Sequence, residues 1–140
     1  MKYKEKNLII ENLKASSLAR KYSTPLYCYS FNKLKDNINN FKKSFKAVNP
    51  LICFSVKSNS NKVLLSEICK LGLGADVVSI GELMKALKAG IKPNQIVFSG
   101  VGKTSEEISF AIKKKILLIN TESKNEVLEI EKIAKKNKKK

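Results

Sequence analysis

The sequence predicts an α/β fold in which about four consecutive βα units form a parallel sheet. Apolar, strand-like runs begin near residues 51, 75, 95 and 116, and each is followed by a segment with helical periodicity. A repeat of about 20 residues has room for one strand and one helix of ordinary length. Such alternation is typical of βα units, whose crossover helices bring successive strands into parallel pairing.

The segment after Pro50 shows this pattern element by element. Its first strand, "LICFSV", is a continuous apolar run of the kind that is buried on both faces. The next helix repeats Leu64, Ile68 and Leu71 on one face and ends at Gly72, which adopts the left-handed conformation easily. The strands are predicted at residues 51–56, 75–79, 95–100 and 116–120, and the helices at residues 61–72, 81–90, 105–115 and 124–136.

Three of these helices are predicted to begin with the same local signal. A serine or threonine is followed three residues later by a glutamate, which is the capping-box pattern. The pairs are Ser79 with Glu82, Thr104 with Glu107, and Ser123 with Glu126.

The polar residues at the strand ends are the candidate ligand-binding residues. In parallel α/β folds, ligands bind at the carboxyl ends of the strands. The residues expected at that edge are Lys57, Asp76, Ser79, the turn at residues 99–104, and Asn120.

The segment before Pro50 has a different pattern. Residues 12–30 are predicted to hold a short helix, a break at Thr24-Pro25 and an extended run from Leu26 to Tyr29. A helix is predicted over residues 31–45, because apolar residues recur on one face there. These are Leu34, Ile38, Phe41 and Phe45.

The chain is strongly basic, with a formal net charge of +16 on 140 residues. Its basic residues are 27 lysines and a single arginine, Arg20, and the lysines are spread along the whole sequence. Arginine is the residue that forks onto phosphates and guanine edges, so its scarcity disfavours nucleic-acid recognition. We expect no nucleic-acid partner. A basic interaction module stays an alternative, which salt-dependent retention on DNA would reveal.

The composition of the sequence also bears on where in the cell the protein is expected. No apolar run approaches the ~20 residues of a membrane-spanning helix, and the first residues lack the apolar core of a signal peptide. Three cysteines lie far apart, and the sequence contains no histidine that could complete a zinc site. We therefore expect reduced thiols, no metal, no membrane partner and a cytoplasmic location.

Lys57 is the most unusual residue of the first strand region. It follows "LICFSV" directly, at the predicted tip of a buried strand, where an ammonium group is costly to desolvate. One interpretation is a lysine that extends from the strand end into water. The other is an amine kept in an enclosed site for covalent chemistry with a carbonyl group. Periodicity alone favours the first.

The turn "SGVGKT" at residues 99–104 partly resembles a phosphate-binding loop. The full motif requires a glycine at position 97, where Val97 stands. A tight turn leading into a capped helix is the favoured interpretation, and Lys103 is then expected to be exposed.

Five stretches together carry a resemblance to a known family. "STPLYCYS", "VKSNSN", "GLGADVVSIGEL", "IVFSGVGKT" and "INTESKNEV" occur in this order. The chain resembles, from about residue 8 to 134, the N-terminal part of the diaminopimelate decarboxylase family. That family belongs to the pyridoxal-phosphate-dependent decarboxylases with the alanine-racemase-like fold, together with the ornithine and arginine enzymes.

The resemblance implies a fold and a domain organisation. Residues 31–140 are expected to form the first half of a pyridoxal-phosphate-binding (β/α)8 TIM barrel. Residues 1–30 are expected to be an N-terminal segment associated with the C-terminal β domain of the full-length family, which forms homodimers. The family's later cofactor-binding features are not found in this sequence, so an N-terminal fragment without activity of its own is expected.

The resemblance also implies a reaction and site residues. The expected reaction is decarboxylation of an amino acid, meso-diaminopimelate to L-lysine, with pyridoxal 5'-phosphate as cofactor. Lys57 would be the catalytic residue that holds the cofactor covalently, and Asp76 would lie beside the cofactor. Alternatives are ornithine, arginine or carboxynorspermidine decarboxylation, or a non-catalytic pyridoxal-phosphate-binding barrel.

Two positions depart from the family motifs and one has two interpretations. Ser58 stands where alanine is usual and Ile80 where glycine is usual, and Ile80 is expected to crowd the space beside Asp76. Glu82 aligns with a family active-site glutamate. Its place in the capping box with Ser79 is a sufficient explanation by itself.

Overall fold

The computed structural model describes residues 1–138. The chain divides into two compact units, one of residues 1–50 and one that begins at Leu51. The expected start of the barrel domain at residue 31 stays a prediction. None of the helices among the described residues is long and apolar enough to cross a membrane.

The first unit contains a small antiparallel sheet and two helices. The strands pair in the order β1, β2, β3. Serine at the N-cap position starts the second helix, because the Ser30 side chain accepts the N–H of Lys33 at 3.1 Å. The elements are β1 (Lys2–Lys4), β2 (Asn7–Ile10), β3 (Leu13–Lys14), α1 (Ala15–Tyr22) and α2 (Phe31–Ser44).

No pattern in the sequence predicted this antiparallel sheet. Its first hairpin turns at Glu5 and Lys6, with φ values of 48° and 62° and with Lys4 paired to Asn7. A two-residue turn with both φ values positive normally carries Asn-Gly or Asp-Gly. Here the turn has neither, so the strongest hairpin signal is missing from the sequence.

The second unit is a four-stranded parallel sheet with its helices in strict alternation. The strands lie in the order β4, β5, β6, β7, and each neighbouring pair is parallel. This confirms the predicted parallel α/β architecture. The elements are β4 (Cys53–Ser55), α3 (Lys62–Lys70), β5 (Gly74–Val77), α4 (Ile80–Lys88), β6 (Ile96–Phe98), α5 (Ser105–Lys114), β7 (Leu118–Ile119) and α6 (Lys124–Lys136).

The core of this unit lies between the sheet and the helices. Alternate residues of the central strands, such as Ala75, Val77 and Phe98, are fully buried and pack with Leu83 and Ala86 of α4. Their strand neighbours, such as Asp76 and Ser99, therefore project from the opposite face of the sheet. This face carries the polar residues of the candidate site.

The first strand is shorter than predicted, which changes the position of Lys57. β4 ends at Ser55, and residues Val56–Ser58 form a 3₁₀ turn. The Ser58 hydroxyl donates to the carbonyl of Ser55 at 2.7 Å, and the N–H of Asn59 donates to the carbonyl of Val56 at 3.1 Å. Such local bonds compete with the strand ladder. The prediction that Lys57 tips a buried strand was therefore wrong, since Lys57 is exposed on this turn.

The predicted helix starts are confirmed. Thr104 and Glu107 form a complete capping box, and the hydroxyls of Ser79 and Ser123 accept the N–H groups of their own N3 glutamates. These other two glutamates reach one residue further back. Glu82 accepts the N–H of Val78, and Glu126 accepts that of Glu122.

Candidate functional site

Three adjacent strand ends bring together Asp76, Ser99 and Asn120. Asp76 lies within β5, whereas Ser99 and Asn120 directly follow β6 and β7. The Ser99 hydroxyl donates to Oδ1 of Asp76 at 2.6 Å, and Nδ2 of Asn120 donates to Ser99 Oγ at 3.0 Å. Asp76, Asn120 and the turn that begins at Ser99 were all expected at this edge. The sequence did not reveal that Ser99 links the other two residues.

The neighbouring strand β4 adds a hydroxyl group without a partner. Ser55 is directly opposite Asp76 in the parallel register. Its Oγ is buried and makes no hydrogen bond, the one side-chain atom of this kind in the described part of the chain. A buried hydroxyl of this type calls for a partner from outside the described residues.

Lys57 follows this hydroxyl on the next turn. Its side chain is exposed, and it forms no hydrogen bond or ion pair with the residues from 1 to 138. An exposed amine avoids the desolvation cost that its predicted position would have imposed. The turn holds the amine at the carboxyl end of β4, one strand away from Asp76.

The charge of Asp76 influences the pKa of the Cys53 thiol. Burial, and secondly the Asp76 carboxylate, raise the pKa of the Cys53 thiol above its ordinary value. The thiolate is the reactive form of cysteine, so the protonated Cys53 is a poor nucleophile. Cys53 therefore supplies no activated thiol to this site.

Lys103 is the residue for which the sequence expectation fails most clearly. It was expected to be exposed, but its side chain is only 2% exposed and forms an ion pair with Glu126 at 2.8 Å. The same ammonium donates to the carbonyls of Gly100 at 2.6 Å and Asn120 at 2.7 Å. Its partners lie on three separate segments, which local sequence patterns do not reveal. Lys103 is therefore unavailable as a free amine.

Glu82 and Ile80 have structural roles at the start of α4. Glu82 accepts the N–H of Val78 at 3.0 Å, which supports the capping interpretation of this glutamate. The N–H of Ile80 donates to Oε1 of Glu107 at 3.0 Å, so α5 also caps the helix before it. The expectation that Ile80 crowds Asp76 stays a prediction.

Known proteins resemble this chain over most of its length. The model of the "Pyridoxal-dependent decarboxylase, pyridoxal binding domain" family matches residues 31–139. Diaminopimelate decarboxylase of Helicobacter pylori strain J99 is 53% identical over 117 residues, which cover 84% of this chain and 29% of that protein.

Solved structures give the same result. A crystal structure from Aquifex aeolicus has a TM-score of 0.95 at 43% identity and covers 99% of this chain and 34% of that one. Diaminopimelate decarboxylase of M. jannaschii in complex with L-lysine has a TM-score of 0.94 at 34% identity, covering 98% and 33%.

These matches establish the family while covering only part of each relative. The chain spans about a third of the length of these relatives. The family model nevertheless covers most of the chain, from α2 to beyond α6. The chain belongs to the family of pyridoxal-dependent decarboxylases and contains part of their pyridoxal-binding domain.

Proposed function

We propose that the protein containing this chain is a pyridoxal-phosphate-dependent amino-acid decarboxylase that converts meso-diaminopimelate to L-lysine. In this proposal Lys57 is the catalytic residue that holds the cofactor covalently, and Asp76 lies beside the cofactor. The main observation in support of this proposal is the exposed, unpaired amine of Lys57 at the end of β4, next to a strand that bears a carboxylate.

The residues around Lys57 fit a pyridoxal group. An aldehyde-bearing ligand requires a primary amine without a competing ion pair, which Lys57 offers. Ser55 offers a buried hydroxyl with no partner, and Asp76 has one carboxylate oxygen, Oδ1, already held by Ser99. A polar aromatic ligand at this edge would satisfy the Ser55 hydroxyl without any change in the strand register.

Each residue contributes binding or orientation. Pyridoxal phosphate, when bound, supplies an electron sink for the carbanion that remains after carbon dioxide departs. Lys57 would hold the cofactor covalently at the sheet edge, the Ser55 hydroxyl would be available to donate a hydrogen bond, and the Asp76 carboxylate would be available to accept one.

The substrate is supported by the relatives. The H. pylori and M. jannaschii proteins are named diaminopimelate decarboxylases, and the M. jannaschii structure contains L-lysine. Decarboxylation of ornithine, arginine or carboxynorspermidine is the alternative, and carbon dioxide release from each amino acid by the complete protein separates these substrates. The homodimer implied for the full-length family stays a prediction.

The assignment of Lys57 is tested by covalent labelling of the complete protein that contains this chain. The protein is treated with substoichiometric pyridoxal phosphate, reduced with borohydride and mapped by peptide mass spectrometry. We expect Lys57 to be the most heavily modified of the 27 lysines in this chain. Lys57→Ala should remove this label and leave the background on the other lysines unchanged.

Lys88→Ala is the matched control. Lys88 is exposed near the end of α4, and its loss should not change the fraction of label at Lys57. Lys103 is unsuitable as a control, because its removal would break a buried ion pair. Label spread evenly over the lysines, with no preference for Lys57, would contradict the site assignment.

A further inference from the structure

Asp76, Ser99 and Asn120 form a hydrogen-bond chain whose direction is fixed by chemistry. Ser99 lies 2.6 Å from Oδ1 of Asp76 and 3.0 Å from the amide nitrogen of Asn120. An ionised carboxylate only accepts hydrogen bonds, so the hydroxyl proton of Ser99 must point to Asp76. The Ser99 oxygen then offers only lone pairs, and Asn120 must donate to it. The chain runs from Asn120 through Ser99 to Asp76.

The Asn120 end of this chain is held by its backbone. The N–H of Asn120 donates to the carbonyl of Phe98 at 2.9 Å. Its carbonyl accepts from the buried ammonium of Lys103 at 2.7 Å, and the same ammonium donates to the carbonyl of Gly100 at 2.6 Å. Because both backbone groups of Asn120 are engaged, its side chain begins from a fixed point although the residue is exposed.

At the Asp76 end of the hydrogen-bond chain, one carboxylate oxygen stays available. Oδ1 is occupied by Ser99, whereas Oδ2 makes no hydrogen bond within residues 1–138. A carboxylate that is not held by a hydrogen bond rotates, so that its two oxygens exchange positions. A donor that is itself fixed by Asn120 holds the carboxylate in one orientation.

We infer that Ser99 and Asn120 are positioning residues that hold Asp76 with Oδ2 presented to an N–H or O–H donor of a bound ligand. The inference rests on the proposed function, in which Asp76 lies beside the cofactor. Ser99 and Asn120 do not touch the ligand in this arrangement, and they act through Asp76.

The variants separate hydrogen bonding from packing. Ser99→Ala removes the donor to Asp76, whereas Ser99→Thr keeps a hydroxyl. Asn120→Asp keeps the shape of the side chain but removes the amide donor. Ser105→Ala is the matched control. The Ser105 hydroxyl also donates to a carboxylate, that of Glu129 at 2.8 Å, and this bond is not part of the hydrogen-bond chain through Ser99.

The first measurement needs no cofactor. In ¹⁵N–¹H spectra of the 140-residue chain, the side-chain amide protons of Asn120 should exchange slowly with water. Ser99→Ala should accelerate this exchange about fivefold, which corresponds to the loss of one hydrogen bond. Ser99→Thr should restore slow exchange, and Ser105→Ala should not change it. Fast exchange in the unaltered chain would overturn the inference.

The second measurement reports the effect on the ligand. The fraction of borohydride-fixed pyridoxal phosphate on Lys57, relative to the other lysines, should fall about fivefold in Ser99→Ala and Asn120→Asp. It should recover in Ser99→Thr. If Lys57 is preferred in the unaltered complete protein and both variants keep that preference, the inference is wrong and the proposed function stands. If Lys57 is never preferred, the proposed function fails and the positioning role fails with it.

Discussion

The ammonium of Lys103 lies 2.8 Å from Oε1 of Glu126, and the two side chains are only 2% and 11% exposed. The pair joins the turn after β6 to the first turn of α6. Lys103 directs its three N–H donors to Glu126 and to the carbonyls of Gly100 and Asn120. The desolvation of this ammonium is therefore matched by three charge-assisted hydrogen bonds.

Removal of one partner of this pair should be strongly destabilising. Glu126→Leu leaves a buried ammonium without its counter-charge, and Lys103→Met leaves a carboxylate and two carbonyls without their donor. We expect each single variant to lower the free energy of unfolding by about 3 kcal/mol in urea denaturation.

The double variant is the control for this prediction. Lys103→Met combined with Glu126→Leu leaves no uncompensated charge, so its loss of stability should be smaller than the sum of the single losses. A single variant that does not fold should then be rescued by the second substitution. Additive losses would show that the two side chains do not interact.

The helices could be predicted from the sequence because their signals are local. Ser79, Thr104 and Ser123 each begin a helix where a glutamate follows three residues later, and the structure contains all three helices. The parallel sheet followed from the repeat of these units. β4 ended early because the side chain of Ser58 bonds to the backbone of Ser55, a competition that the apolar run "LICFSV" conceals.

The site was only partly predictable for a physical reason. Asp76 and Asn120 could be placed at strand ends, because parallel strands bring their carboxyl ends to one edge. The environment of Lys103 depends on Asn120 and Glu126, which are 17 and 23 residues away in the sequence. Contacts of this range appear only when the βα units pack, so no local pattern distinguished Lys103 from an exposed turn lysine.

The stability of the second unit should fall in acid through its capping carboxylates. Hydrogen bonds from the N–H groups of Thr104 and Ile80 lower the pKa of Glu107 below its ordinary value of 4.5. The bond from Lys103 similarly lowers the pKa of Glu126. A lowered pKa in the folded state means that the stabilisation is complete above pH 4.5 and is lost as the pH falls through the folded values.

This acid dependence can be assigned to Glu107 by substitution. The free energy of unfolding of the unaltered chain should decrease between about pH 5 and pH 3, and Glu107→Gln should show a shallower decrease. The comparison is made by urea denaturation at each pH. Parallel pH curves for the two proteins would contradict the prediction.

Gly74 should not tolerate a side chain, although its backbone is ordinary strand. A Cβ at this position would overlap the carbonyl oxygen of Gln95 and lie 2.9 Å from Sγ of Cys53. The backbone oxygen cannot move without disturbing the start of β6, so Gly74→Ala should cost about 1–3 kcal/mol of unfolding free energy. Gly81→Ala is the control. A Cβ there meets only Ser79 Oγ, at 3.8 Å, and alanine favours the helix, so stability should rise.

Lys115 ends α5 in the left-handed conformation, which offers a test in the stabilising direction. Its φ of 56° and ψ of 48° suit glycine better than a residue with a Cβ, and its N–H still closes the helix on Ala111 and Ile112. Lys115→Gly should therefore raise the free energy of unfolding by about 0.5–1 kcal/mol. Lys114 is the matched control, because it is exposed and still within the helix. Lys114→Gly should lower stability by about 1 kcal/mol. Thermal and urea unfolding of the two variants should move in opposite directions, and a shared decrease would show that the left-handed conformation at Lys115 carries no strain.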